Sequence, residues 1–221
     1  RSEATKSLAC AIKARSQEAL RLARGVFSGV QFDVASRTLS LFGDRLGVRP
    51  MYYAVTPRYT VFSTALRVLE KLDIPGRAID LEGVTEIISL GIPLGTRTAY
   101  AHIRAIDAAE IIRIDGTSVS HEHYWSWNEV EEASHNDLPD LQDAVYDAFT
   151  TAVRLRIGSD RTTAAFLSGG LDSRCVVASL ATLGINVNTF MFASRIGEEE
   201  YCATEFAKAI GVDHHIVPAS T

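Results

Sequence analysis

The chain has 221 residues, 47% of them hydrophobic, and a formal net charge of −5 at neutral pH. That length accommodates one large or two small domains with a packed core, and the scattered Lys and Arg give no basic field for nucleic acid. No run of about eighteen apolar residues is present to cross a membrane, and the polar opening Arg1 to Lys6 does not read as a secretory signal.

Leu8, Ala11 and Ile12, followed by Ala19, Leu20, Leu22 and Ala23, predict helix up to Gly25. Short strands follow at Val26 to Phe32, Thr38 to Phe42, Met51 to Ala54 and Thr60 to Phe62, the pattern of a layered sheet. Helical spacing at Leu66 to Leu72 and Leu81 to Leu90 leads to strands Glu110 to Ile114 and Ser118 to Tyr124, joined through the turn pair Asp115-Gly116. His121 and His123 fall on one face of the second strand. Two ligands are too few for a metal without a third, and a solvent-facing hairpin edge is the favoured reading of them. Tyr124 and Trp125 are expected to pack against the domain that follows.

The charged stretch from Asn128 to Asp137 marks a boundary, giving expected segments of 1–128, a linker at 129–137, and 138–221. Asp137 is placed to cap a helix with Pro139 in its first turn. Leu141, Val145, Phe149 and Ala152 then recur at three or four, predicting a stripe buried against the next sheet. Cys10, Cys175 and Cys202 have no metal-ligand spacing. They read as small core residues on helices and fit a reduced, cytoplasmic setting.

The most informative string is Ser168-Gly169-Gly170-Leu171-Asp172-Ser173. At average residue usage its pattern arises by accident in about one chain in ten thousand of this length. The apolar run Ala164 to Leu167 precedes it, and Cys175, Val176, Val177, Ser179, Leu180 and Leu183 follow without a breaker, so the order is strand, glycine turn, helix. Such a turn leaves backbone N–H groups unpaired at the positive end of a helix, where the two glycines let an anion approach. Ser168 and Ser173 add hydroxyls. Asp172 is a carboxylate that sits badly beside phosphate unless Mg²⁺ also binds, which points to a metal-bound nucleotide. Neither the P-loop pattern nor the dinucleotide glycine pattern is present. An ordinary tight connection with no ligand is the alternative.

Gly184 stops the helix, Val187 to Phe192 forms a second strand, and Glu200 to Ile210 carries helical spacing up to Gly211. His215 to Val217 starts a third strand, and His214 and His215 carry no catalytic assignment. The β-α-β-α-β order calls for a parallel sheet with ligands at the carboxyl ends of its strands, where the Ser168 loop and Met191-Phe192 would lie.

Phe166-Leu167 with Ser168 to Ser173, Thr189-Phe190-Met191, Glu198-Glu199 and Gly211 to His215 resemble the synthetase domain of glutamine-dependent asparagine synthetases. Upstream, Gly43 to Tyr53 is similar to that family's Arg-Asp-Arg-Phe-Gly-Ile-Lys-Pro-Leu-Tyr-Tyr segment. Ser89-Leu90-Gly91, Arg97-Thr98, Ile103-Arg104 and His123-Tyr124-Trp125 follow in family order, so the likeness spans nearly the whole chain. The resemblance implies an α/β protein. A truncated layered α+β glutaminase part of the N-terminal-nucleophile type would precede an incomplete parallel-sheet ATP-pyrophosphatase domain. ATP would adenylate a carboxylate and release pyrophosphate, and ammonia derived from glutamine would form the amide.

By that resemblance Ser168, Asp172 and Ser173 are catalytic, and Leu167 to Ser173 hold ATP with Asp172 on Mg²⁺. Met191 and Phe192 flank adenosine, and Glu199 lies near the phosphates or metal. Glu198 to Glu200 also suit a helix start for their charge alone. The implied partners are small molecules, namely ATP, a carboxylic acid and glutamine or ammonia, with no nucleic acid or membrane; a homodimer is compatible.

A glutaminase of this kind uses a free N-terminal Cys, whereas residue 1 is Arg and Cys10 lies in a helical pattern without a free amine. The resemblance sets Arg1 inside the glutaminase domain, with Ser2-Glu3 at the Ser-Asp pair that holds glutamine. Three nucleotide-domain strands before Thr221 imply an inactive fragment with an unpaired sheet edge. Arg174 stands where asparagine-forming members carry a second Ser. A guanidinium there is unfavourable beside the helix dipole unless it meets phosphate or carboxylate, and a solvated surface Arg is the other reading. A non-catalytic nucleotide-binding protein, or a related adenylating enzyme that closes β-lactams or lasso peptides, remains the rival function.

Overall fold

A computed structural model of the chain describes residues 17–72, 74, 78–130, 138–193 and 197–219. The chain divides into two compact units, Arg1–Glu132 and Ala133–Thr221. The expectations placed on Arg1, Ser2-Glu3, Cys10 and Asp137 lie outside the described residues. Among those residues no helix is long and apolar enough to cross a membrane.

Among the described residues the first unit has helix α1 (Gln17–Leu22) followed by two antiparallel sheets. One has the order β1-β2-β6-β7, from Ser28–Asp33, Thr38–Gly43, Glu110–Asp115 and Ser118–His123. The other has the order β4-β3-β5, from Thr60–Ser63, Tyr52–Val55 and Arg104–Ala105. Helices α2 (Leu66–Glu70) and α3 (Leu81–Leu90) lie between β4 and β5 in the chain. The β2–β6 register sets Leu41 beside Ile112 and Phe42 beside Ile111. Both faces of β6 are covered: Ile111 joins Leu20, Phe42, Ala109 and Tyr124, whereas Ile112 and Ile114 join Leu41, Met51 and Tyr53. That double burial fits the adjacent pair Ile111 and Ile112, which puts one apolar side chain on each face of β6.

The β6–β7 ladder closes on Asp115 opposite Ser118, so the two loop residues are Gly116 and Thr117, with Gly116 at φ +59°. Tyr124 corrects the sequence expectation. It is 1% exposed, donates its hydroxyl to the Gly43 carbonyl at 2.9 Å, and packs under its own sheet. The cause is register: the Tyr124 N–H donates to the Ala109 carbonyl at 2.9 Å, which extends the β6–β7 ladder and turns the ring inward. Burial and the nearby Asp44 carboxylate push its phenol up to about 12, with Arg45 pulling in the opposite direction. Trp125 joins the same cluster, with the Arg45 guanidinium 5.0 Å from its ring centroid.

The second unit is a parallel sheet of order β10-β9-β8, from Asp213–Pro218, Asn186–Ala193 and Thr162–Phe166. Helices α5 (Leu171–Thr182) and α6 (Glu198–Ile210) make the crossovers. Val177 and Leu180 from α5, Ala203 and Ala207 from α6, and Leu167 and Val187 from the sheet side form one core. Gly211, at φ +72°, ends α6 in the left-handed conformation that glycine adopts without strain.

Helix α4 (Leu138–Ile157) precedes β8 and buries no residue fully. Its stripe is not buried against the sheet as its spacing suggests: Leu141, Val145 and Phe149 are 39%, 60% and 37% exposed, and Ala152 is exposed too. The helix meets the core through Val153 and Ile157. The stripe instead lines an open groove of about 740 Å³ shared with α5. Cys175 stands on that groove, exposed, because Val177 and Leu180 take the inward face of α5 and residue 175 lies about 200° from residue 177. It is therefore not the core cysteine expected, whereas Cys202 is half-buried beside the buried Ala203.

Candidate nucleotide site

Leu167 extends the β8 ladder by donating its N–H to the Phe190 carbonyl at 2.9 Å, and the chain leaves the sheet at Ser168. Gly169 follows at φ +79°, and a Cβ there would sit 2.1 Å from the Glu199 carbonyl oxygen. Only glycine satisfies both conditions. Gly170 is the N-cap of α5 at φ −68° and ψ 162°, with no side-chain cap. Among the described residues the N–H groups of Gly169, Gly170, Leu171 and Asp172 donate to no protein acceptor. Unpaired N–H groups at a helix start are the kind of donors that can receive an anion.

The Ser173 hydroxyl donates to the Gly170 carbonyl at 3.1 Å and accepts from the Ser168 N–H at 3.2 Å. With that hydrogen committed, the Ser168 hydroxyl is the donor in the 3.2 Å Ser168–Ser173 pair. The loop is thus held by its own two serines. Asp172 is exposed in the first turn of α5. Among the described residues no group of three or more His, Cys, Asp or Glu is placed to hold a metal. A single open carboxylate fits Mg²⁺, which binds through one or two carboxylates plus substrate phosphates rather than in an all-protein cage.

The structure brings Leu167, the Ser168–Ser173 loop and Glu199 together. The β8–β9 register pairs Phe166 with Phe190, so Met191 and Phe192 continue past the end of β8 alongside Leu167. Met191 packs toward the core. Phe192 lies on the opposite face, 61% exposed, with its ring 5.8 Å from that of Phe166. Glu199 is exposed in the first turn of α6, and its backbone is what meets Gly169.

Sequence reasoning gave no role to the Thr189–His214 pair or to Asp44 and left Arg174 between a phosphate or carboxylate contact and a solvated surface position. The Thr189 hydroxyl donates to the Asp213 carbonyl at 2.8 Å, so His214 Nδ1, 2.9 Å away, carries the proton and donates to Thr189. Among the described residues His214 Nε2 is then a buried acceptor without a partner. Burial, reinforced by His215 and opposed by Glu200, lowers this imidazole below its ordinary value. Arg174 turns back on the loop, its Nε–H donating to the Gly170 carbonyl at 3.3 Å. In the first unit the buried Asp44 carboxylate accepts four backbone N–H groups, from Leu46, Val48, Arg49 and Phe27, at 2.9–3.3 Å. The first three lie within five residues, a local signal for such a loop; Phe27 depends on strand pairing.

His121 Nδ1 lies 2.7 Å from the buried Glu110 carboxylate and His123 Nε2 lies 3.4 Å from that of Asp107. Each imidazole on this edge strand therefore meets a carboxylate.

Residues 2–125 match the family model of the glutamine amidotransferase domain, and residues 144–221 match that of asparagine synthase. Asparagine synthetase [glutamine-hydrolyzing] 3 of Bacillus subtilis is 31% identical over 160 residues, covering 71% of this chain and 25% of that protein. A probable asparagine synthetase [glutamine-hydrolyzing] of Acanthamoeba polyphaga mimivirus is 27% identical over 202 residues, covering 88% and 34%. Asparagine synthetase [glutamine-hydrolyzing] of Mus musculus is 28% identical over 206 residues, covering 87% and 35%. The chain spans about a quarter to a third of the length of these relatives. It belongs to the glutamine-hydrolysing asparagine synthetase family, with a glutamine amidotransferase segment running into an asparagine synthase segment.

Proposed function

We propose that the protein is an ATP-dependent amide-forming ligase of the asparagine synthetase type. It adenylates a carboxylate, aspartate in the first instance, releases pyrophosphate, and amidates the activated acid with ammonia from glutamine. The single observation that carries this reading is the row of four unpaired N–H groups on Gly169 to Asp172, within the segment that matches asparagine synthase. The chemistry suits them. A carboxylate is a poor electrophile, so its oxygen attacks the α-phosphorus of ATP and the bond to pyrophosphate breaks; ammonia then attacks the acyl carbon and AMP leaves.

In this reading Gly169 to Asp172 hold the departing pyrophosphate through their N–H groups, and Ser168 and Ser173 turn their hydroxyls from the loop toward it when it binds. Donors aimed at charge that develops in the transition state are typically worth about 3 kcal/mol each. Leu167 and the Met191-Phe192 backbone flank adenosine, and Glu199 faces the phosphate side. Mg²⁺ on Asp172 would neutralise charge on the phosphate oxygens.

ATP–pyrophosphate exchange by the full-length protein across a panel of amino, β-amino and peptide acids tests the reading. Exchange is expected with one acid and is lost in Ser168→Ala and Asp172→Ala. No exchange with any acid, together with unchanged ATP affinity in those two variants, would overturn it. The acid that supports exchange also separates asparagine formation from β-lactam or lasso-peptide closure.

A further inference from the structure

We infer that Arg174 is a pyrophosphate-selecting residue of this loop, gripping the β,γ-phosphates of a nucleoside triphosphate; the inference rests on the pyrophosphate reading above. Arg174 is half-buried in the first turns of α5, and its Nε–H is tethered to the Gly170 carbonyl at 3.3 Å. Its own backbone N–H donates to the same carbonyl at 3.3 Å. The side chain is thereby folded back over the loop rather than extended into solvent. Among the described residues its two NH₂ groups have no acceptor and no carboxylate partner.

A guanidinium fixed at the positive end of a helix adds repulsion to the unpaired N–H groups already there. An anion removes that repulsion, and the size of the positive field decides which anion. A carboxylate brings one charge and suits one or two donors. Magnesium pyrophosphate brings several charged oxygens, enough to meet the N–H groups of Gly169 to Asp172 and the planar fork of Arg174 together. AMP keeps only the α-phosphate and forgoes the Arg174 contact, so this side chain favours triphosphate over product.

The test measures binding of magnesium pyrophosphate, ATP and AMP to the full-length protein and to Arg174→Gln, Arg174→Lys and Ser168→Ala, with thermal melting as a check on folding. Arg174→Gln is expected to weaken pyrophosphate and ATP by about ten- to a hundredfold, the range for a hydrogen bond to a charged group. AMP should stay within about twofold of wild type, and Arg174→Lys should recover part of the loss. Equal weakening of AMP and pyrophosphate, or Arg174→Gln binding all three like wild type while Ser168→Ala weakens them, overturns the role of Arg174 and leaves the loop reading standing. Wild-type protein that binds no pyrophosphate overturns both.

Discussion

Gly169 and Glu199 meet backbone to backbone, so closely that a Cβ on Gly169 would lie 2.1 Å from the Glu199 carbonyl oxygen and 2.9 Å from its carbon. The contact ties the loop after β8 to the first turn of α6, two pieces thirty residues apart in the chain. Gly169→Ala pays for the left-handed φ by about 1–2 kcal/mol and must also push the start of α6 aside. Gly170 has φ −68°, and a Cβ there would come no closer than 3.4 Å, to the Ser168 hydroxyl. Urea unfolding should therefore show Gly169→Ala destabilised by more than about 2 kcal/mol and Gly170→Ala within about 0.5 kcal/mol of wild type. Equal midpoints for the two variants would remove the contact as a structural constraint.

Asp44 holds the turn that follows β2 by accepting N–H groups from Leu46 and Val48 on one oxygen and from Arg49 and Phe27 on the other. Asp44→Asn keeps the size of the side chain but turns an NH₂ group toward two of those donors. A loss of about 2–3 kcal/mol is expected, and more for Asp44→Ala, because each buried donor left without an acceptor costs about 1–3 kcal/mol. Hydrogen exchange locates the effect: the amides of Leu46, Val48 and Arg49 should lose protection together while those of β6 keep theirs.

The parts legible in the sequence were those set by local spacing. Two adjacent glycines between an apolar run and a helical period specify strand, turn and helix, and Gly211 specifies where α6 stops. What local spacing cannot specify is the partner of a face. The period of Leu141, Val145 and Phe149 identifies a stripe on α4, yet it points into an open groove with α5 rather than onto the sheet. Tyr124 reads as buried, but only the β6–β7 register shows that Gly43 receives its hydroxyl. The Thr189–His214 pair likewise arises from the parallel register that sets those two residues side by side on β9 and β10. In the candidate site, the Ser168–Ser173 motif was legible, whereas the Glu199 backbone contact is a product of tertiary folding; the Arg174 tether is local, but it depends on which rotamer the side chain takes.

His214 makes the second unit sensitive to acid. Its pKa in the folded protein lies below the ordinary 6.5 because burial disfavours the charged ring, with His215 adding to the effect and Glu200 opposing it. The unfolded chain therefore takes up the proton first as pH falls. Stability from this residue is complete above 6.5, declines as pH drops from 6.5 toward the folded value, and is flat below it. The Cε1 proton resonance of His214 should titrate with a midpoint below 6.5, and His214→Gln should lose the corresponding fall in melting temperature between pH 7 and 5. A midpoint at or above 6.5 would show that Nε2 has found a partner.

The groove between α4 and α5 makes a chemical prediction through Cys175. The thiol is exposed among Leu141, Val145 and Val176, whereas Cys202 is half-buried beside the α6 core residue Ala203. A small neutral maleimide added to this 221-residue chain under native conditions should label Cys175 well before Cys202, because Cys175 is the more accessible. Mass spectrometry of peptides assigns each cysteine separately. Labelling of Cys175 should leave the melting temperature nearly unchanged, since Val177 and Leu180 hold α5 on the core and Cys175 does not. Slow labelling that becomes fast only in denaturant would mean that α4 closes over α5 and that its apolar stripe is buried after all.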